Sequence, residues 1–293
     1  EKAGALSNTK SVETKTDEKN CALPRTDIIS EKNVNEVILK RAGDLNRRAR
    51  ESGYQAGPKM PAVMRDAACI HFPDFITNGN RVLIYRRVNK AATQTAINLF
   101  KALWQTFSPS KTGFKMDHHA CNNEFLAKER AAGAFDIAII REPLDRFVSG
   151  FFFLGRQHKK WGTLEEYVNR MHETEFDLHG LPQAYFYAHA TRRFESHNAV
   201  IQLEKIDEEW PALIQLAFAG ADEDTIAKAL NATSQVPQRN KNLGFKAGSV
   251  KSNPLGGGPG SGQRWFENRT HDEQNAITEP LCKYLTHDYD LFE

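Results

Sequence analysis

No stretch of this chain approaches the roughly 18 consecutive apolar residues that a membrane-spanning helix requires. No Cys-x-x-Cys pair occurs, and the four cysteines, Cys21, Cys69, Cys121 and Cys282, lie far apart. A zinc site is therefore not expected; the cysteines read as buried thiols, with one or two disulfides allowed in an oxidising compartment. An excess of either charge is also missing. Lys plus Arg total 39 against 37 Asp plus Glu, so the chain is not polybasic and any anion-binding surface must be local. No RNA- or DNA-binding motif appears, which removes nucleic acid as an expected partner. The Walker A pattern GxxxxGK[ST] is absent, as is any internal repeat. Low complexity is confined to "NPLGGGPGSG", residues 253 to 262, a loop composition.

What is present is a globular composition, 40% apolar and 26% charged over 293 residues, enough for a sizeable core. Residues 1–62 are polar and read as a disordered or partly helical stem. Within it Val34, Val37, Ile38, Ala42 and Leu45 recur at helical spacing. Residues 63–293 form the expected folded domain. There "RVLIYRRV" (81–88), "FDIAII" (135–140) and "NAVIQLEK" (198–205) read as strands. Between and after them, 93–107, "LDRFVSGFFFL", 163–171, 181–190, 208–219, 222–230 and about 271–286 read as helices. Strands separated by helices predict an α/β fold, a parallel sheet covered on both faces.

Two strand–helix junctions carry the chemistry. In "YRRVNKAATQTAINLF" a strand opens into a helix, whose N-terminal N–H groups and dipole suit a phosphate. Lys90 adds a cation, Thr93 and Thr95 add hydroxyls, and Ala91 and Ala92 permit close approach. An ordinary turn with a surface lysine would look the same in isolation. The second junction, "FDIAIIREPLDRFVSGFFF", puts Arg141 at the carboxyl end of a buried strand, where ligands sit in open α/β sheets. Pro143 suits a first helical turn, and Arg146 and Ser149 share a face of the helix that follows. The plainer alternative is that Asp145 and Arg146 are solvated and Ser149 merely packs.

Together, "YRRVNKAATQT" and "IIREPLDRFVSGFFFL" resemble the two cofactor segments of Golgi carbohydrate sulfotransferases, most nearly the heparan sulfate and uronyl 2-O-sulfotransferases. The resemblance runs from about residue 75 to the final "YDLF". It implies a P-loop-like parallel sheet flanked by helices and 3′-phosphoadenosine 5′-phosphosulfate (PAPS) as sulfuryl donor, with no metal. By that resemblance Lys90, Ala91, Ala92, Thr93, Gln94 and Thr95 would hold the 5′-phosphosulfate, and Arg141 and Ser149 the 3′-phosphate. Arg239 and Lys241 resemble a basic pair on the family's mobile loop, and Arg87 a residue facing the acceptor. Transfer needs a cation at the leaving phosphate oxygen, for which Lys90 is placed, and a base for the acceptor proton. His119 falls at the spacing of the 2-O-sulfotransferase histidine base, with Glu124 as its rival.

The pattern is not met everywhere. Asn89 stands where the family has proline, Gln94 where it has a hydroxyl residue, and Glu142 where it has aspartate. On the acceptor side, no Asp or Glu occurs between Ser234 and Trp265, while Arg239, Lys241, Lys246, Lys251 and Arg264 do. Lys159, Lys160, Arg192 and Arg193 add further cations, so an anionic polysaccharide is the expected partner. The triplets Asn231-Ala232-Thr233 and Asn268-Arg269-Thr270 are glycosylation sequons. With the resemblance they lead to an expected type II membrane protein of the Golgi lumen, its anchor lying outside this sequence. Two other classes stay open: a nucleotide kinase-like P-loop enzyme, and a catalytically inactive polyanion-binding protein.

Overall fold

The computed structural model describes residues 33–51, 67–72, 81–86, 88, 91, 93–107, 131, 133–158, 164–171, 180, 182–183, 198–236, 264 and 266–292. Helix α1 spans Val34–Glu51. Strand β1 is Ala67–Phe72, β2 is Arg81–Arg86, and α2 is Thr93–Phe107. Strand β3 (Phe135–Ile140) leads into α3 (Pro143–His158) and α4 (Leu164–Asn169). Strand β4 (Ala199–Gln202) passes through a 3₁₀ turn, Leu203–Lys205, into α5 (Ile206–Ala217). Helices α6 (Glu223–Ser234) and α7 (His271–Phe292) complete the order.

The described strands form one sheet in the order β1-β2-β3-β4. Strands β2, β3 and β4 run parallel, and β1 is antiparallel to β2. The parallel part follows from the strand–helix alternation; β1 was not expected, and it makes the sheet mixed. Register sorts side chains by face, because paired residues point the same way. Tyr85 pairs with Ile137 and Ile137 with Ala199. These residues, with Leu83, Ile139 and Ile201, share a core cluster with Leu99, Phe100 and Leu103 of α2 and Trp210 and Leu213 of α5. Phe100 stacks its ring edge-on to Trp210 at 5.7 Å. Each fully buried side chain of this size contributes about 1.5 to 3 kcal/mol of transfer free energy. On the opposite face Ala138, Ile140 and Val200 meet Ala42 and Leu45 of α1.

Helix α1 therefore shares the core rather than lying beside it: Ile38 and Leu45 are both fully buried. Arg41 fixes it further. Its guanidinium forms two hydrogen bonds to the Glu209 carboxylate, at 2.8 and 3.0 Å, and one to Val200 O at 2.9 Å. The same carboxylate accepts Gln202 N–H at 2.6 Å. That helps explain why β4 stops at Gln202 instead of running to Lys205 as expected: the N–H of its last residue is held by α5, and the chain tightens into the 3₁₀ turn. A third core cluster joins α3, α4 and α7 through Phe147, Tyr167, Leu281 and Leu285. Helix α7 begins with a capping box, in which Glu273 N–H reaches Thr270 Oγ1 and the Glu273 carboxylate takes Thr270 N–H. It continues through Pro280 to Phe292, beyond the expected residue 286. Cys282 of this helix is disulfide-bonded, and no described cysteine is a free thiol.

Candidate functional site at the carboxyl edge of the sheet

Because β2, β3 and β4 are parallel, their carboxyl ends emerge at one edge of the sheet. Adjacent strands lie about 4.8 Å apart, so the two junctions singled out in the sequence are neighbours in space. The first is a hydrogen-bonded turn. Ala91 N–H and the Thr93 hydroxyl both donate to Val88 O, at 3.1 and 3.2 Å. Tyr85 Oη lies 3.5 Å from Ala91 O. Ala91 is fully buried among Val88, Ala138 and Ile140, a space that suits a methyl group. Thr93 is the first residue of α2, whose opening N–H groups have no partner within the helix. The Thr93 hydroxyl thus shapes the turn, and Thr95 is buried. Gln94 is exposed and bonds Asn98 one turn on. What the described residues of this junction offer an anion is chiefly backbone.

The second junction is built around Arg141, which is 5% exposed. Its guanidinium lies 3.9 Å from the Asp145 carboxylate. Asp145 and Arg146 are both buried, so neither is the solvated residue that the plainer reading supposed; Ser149 is half-buried one helical turn after Asp145. The Arg141 peptide is gripped by a single side chain: its N–H donates to Gln183 Oε1 at 2.9 Å, and its carbonyl accepts Gln183 Nε2–H at 2.6 Å. Gln183 N–H in turn donates to Asp288 Oδ2 at 2.8 Å.

Glu142 caps α3. Its carboxylate accepts N–H from Leu144 at 3.1 Å and from Asp145, and the Tyr289 hydroxyl donates to it at 3.0 Å. Its own N–H donates to Glu204 on the 3₁₀ turn after β4. Although the residue is only half-buried, these groups enclose its carboxylate. Desolvation, with the Asp145 charge beside it, pushes its pKa up to about 7. Desolvation also lifts the Glu204 carboxyl, an effect that water screens because Glu204 is exposed. Burial and the Glu142 charge raise the Tyr289 phenol, which stays protonated and donates. Partial neutralisation of Glu142 lessens the negative charge beside Arg141, which favours an anionic ligand there.

Of the expected site residues, the structure brings Ala91, Thr93, Gln94, Thr95 and Arg141 to this edge, while Ser149 lies further along α3, the seventh residue of that helix. Arg87, Lys90, Ala92, His119, Lys159, Lys160, Arg192, Arg193, Arg239 and Lys241 lie outside the described residues, as do His118, Asn89 and Glu124. The structure adds Gln183, Glu204, Asp288 and Tyr289, which the sequence reading had not assigned to the site. Only Tyr289, inside the terminal "YDLF", carried a hint.

Among the described residues no helix is long and apolar enough to cross a membrane. No curated protein and no solved structure matches the chain. The model of one family, described as the sulfotransferase family, matches residues 73–293. That span runs from before β2 to the end of α7 and contains both junctions, the Gln183 contact and the α7 residues that support it. The turn at Ala91 and the buried arginine at the end of β3 are thus features of a chain that belongs to the sulfotransferase family.

Proposed function

We propose that the protein transfers a sulfuryl group from PAPS to a hydroxyl of a glycosaminoglycan or related anionic polysaccharide, at the 2-position of a uronic acid. The observation that carries this reading is the adjacency of the two junctions. A helix N-terminus and a buried arginine emerge from neighbouring parallel strands, a spacing suited to one ligand with two phosphate positions. The α2 N-terminus with Lys90, Ala91, Ala92, Thr93, Gln94 and Thr95 takes the 5′-phosphosulfate. Arg141 and Ser149 take the 3′-phosphate, with Arg239 and Lys241 of the acid-free segment as further cations for the cofactor. In the reaction the acceptor oxygen bonds to sulfur as the bond from sulfur to the 5′-phosphate oxygen breaks. His119 takes the acceptor proton, and Lys90 stabilises the charge left on the phosphate. Arg87, Lys159, Lys160, Arg192 and Arg193 face the polyanion. The Cys282 disulfide and the exposed sequon residue Asn268 support a luminal, Golgi-type compartment for this activity.

Radiolabelled PAPS and a panel of polysaccharides test the reading. Label should enter a uronic acid-containing polymer without added metal. His119→Ala should keep binding adenosine 3′,5′-bisphosphate while turnover falls by about 10²-fold or more, the scale for losing a general base. Retained activity in that variant with loss in Glu124→Gln would move the base to Glu124. Polymer binding with no transfer to any acceptor would leave an inactive polyanion-binding protein, and transfer from ATP with magnesium a kinase-like one.

A further inference from the structure

The β3–β4 ladder ends at the pair Ile140–Gln202. Arg141 is the next residue, so no described strand pairs with it at the point where the proposed 3′-phosphate ligand begins. Gln183 fills that role with its side chain, meeting both polar groups of the Arg141 peptide as an added strand residue would. Gln183 is fully buried, and so is Asp288, the residue that accepts its N–H. The next residue of α7, Tyr289, bonds Glu142 on the other side of the same peptide. Thus the end of α7 braces Gln183 through Asp288 and holds Glu142, the residue after Arg141, through Tyr289, by contacts 105 and 147 residues apart in sequence.

We propose that Gln183, backed by Asp288 and Tyr289, is a positioning residue that aims Arg141 at the 3′-phosphate of the donor nucleotide, so that α7 sets the enzyme's selectivity for a 3′-phosphorylated nucleotide. This rests on the reading of Arg141 as that phosphate's ligand. The physical reason is geometric. An arginine side chain is long and rotamer-rich, and its fork makes good phosphate bonds only if its root is fixed. Binding groups must be held to within roughly 0.5 Å, and a displacement of about 1 Å can cost 10²-fold. Satisfying a buried peptide is a sufficient structural reason for a glutamine, but that role alone predicts lost stability with unchanged nucleotide preference.

The preference is therefore the readout. Calorimetric titration of adenosine 3′,5′-bisphosphate and adenosine 5′-monophosphate gives a ratio of affinities for the native protein, Arg141→Ala, Gln183→Met, Gln183→Glu and Tyr289→Phe. Both nucleotides are measured on the same preparation, so the ratio does not depend on the folded fraction. The native protein and Arg141→Ala test the ligand: strong preference in the first and none in the second is expected. Gln183→Met should lose about tenfold or more of the preference, chiefly through weaker bisphosphate binding. Gln183→Glu keeps the acceptor for Arg141 N–H and should fall between, and Tyr289→Phe should lose a smaller factor. Should Gln183→Met fail to fold, these two milder variants decide. A native ratio in all the folded Gln183 and Tyr289 variants, with the ratio lost in Arg141→Ala, overturns the positioning role alone. No preference in the native protein, or a preference surviving in Arg141→Ala, overturns the reading of Arg141 and the positioning role with it.

Discussion

The Glu142 carboxylate caps α3 beside Asp145, and burial with that neighbouring charge lifts its pKa to about 7. The folded state therefore keeps the Glu142 proton at pH values where the unfolded chain has released it. Its contribution to stability is complete below the ordinary glutamate range and is lost as pH rises through about 7. Glu142→Gln cannot ionise, so urea unfolding of this variant should show a flatter loss of stability between about pH 5 and pH 7 than the native protein. An unchanged slope would mean that Glu142 is ionised throughout the window. In sequence, this position looked like a mild exchange of aspartate for glutamate. The longer side chain matters because it brings the carboxylate to the Tyr289 hydroxyl as well as to the first N–H groups of α3. Arg141 was legible because a charge directly after an apolar strand stands out. Gln183 was not, since a lone glutamine in "LPQAYF" has no local pattern and its role arises from a peptide 42 residues upstream.

At the scale of elements, the periodicities of 2 and 3.6 located most of what the chain builds. Strands β2 and β3 carry the apolar runs VLIY and IAII, and α2 and α5 carry apolar faces that pack on them. Strand β1 escaped because its alanine-rich "AACIHF" shows neither clean alternation nor a strong β-branched run. The end of β4 escaped because it is set by Glu209, seven residues on, rather than by the strand's own sequence. Helix α1 was visible from its spacing, but not its attachment, since Arg41 and Glu209 are 168 residues apart. That attachment has a measurable strength. Arg41→Ala leaves Glu209, only 2% exposed, with its charge uncompensated. Such a loss costs about 3 to 5 kcal/mol, to be read from the urea midpoint at constant slope. A change below 1 kcal/mol would mean that α1 is held by Ile38 and Leu45 in the core rather than by this ion pair.

For the whole molecule, the Cys282 disulfide sets a test on α7 that needs no nucleotide. Reduction, or Cys282→Ser, should lower stability by about 2 to 4 kcal/mol, seen as a fall in Tm that thiol reagents produce in the native protein but not in the variant. If reduction leaves Tm unchanged, the bridge does not constrain the unfolded chain. Folding also has a timetable. Glu142 and Tyr289 touch across 147 residues, and a ribosome adding about 5 to 20 residues per second separates their appearance by roughly 7 to 30 s. Within that interval β3 can already pair with β2, and Gln183, 42 residues on, has already emerged, while Asp288 and Tyr289 of α7 are still to come. Under the proposed function, donor nucleotide met early in synthesis therefore finds the Arg141 site without its α7 support. Chains whose synthesis has reached α7 should then bind the donor more tightly than shorter ones, so nucleotide affinity would report translation through that helix rather than start the fold.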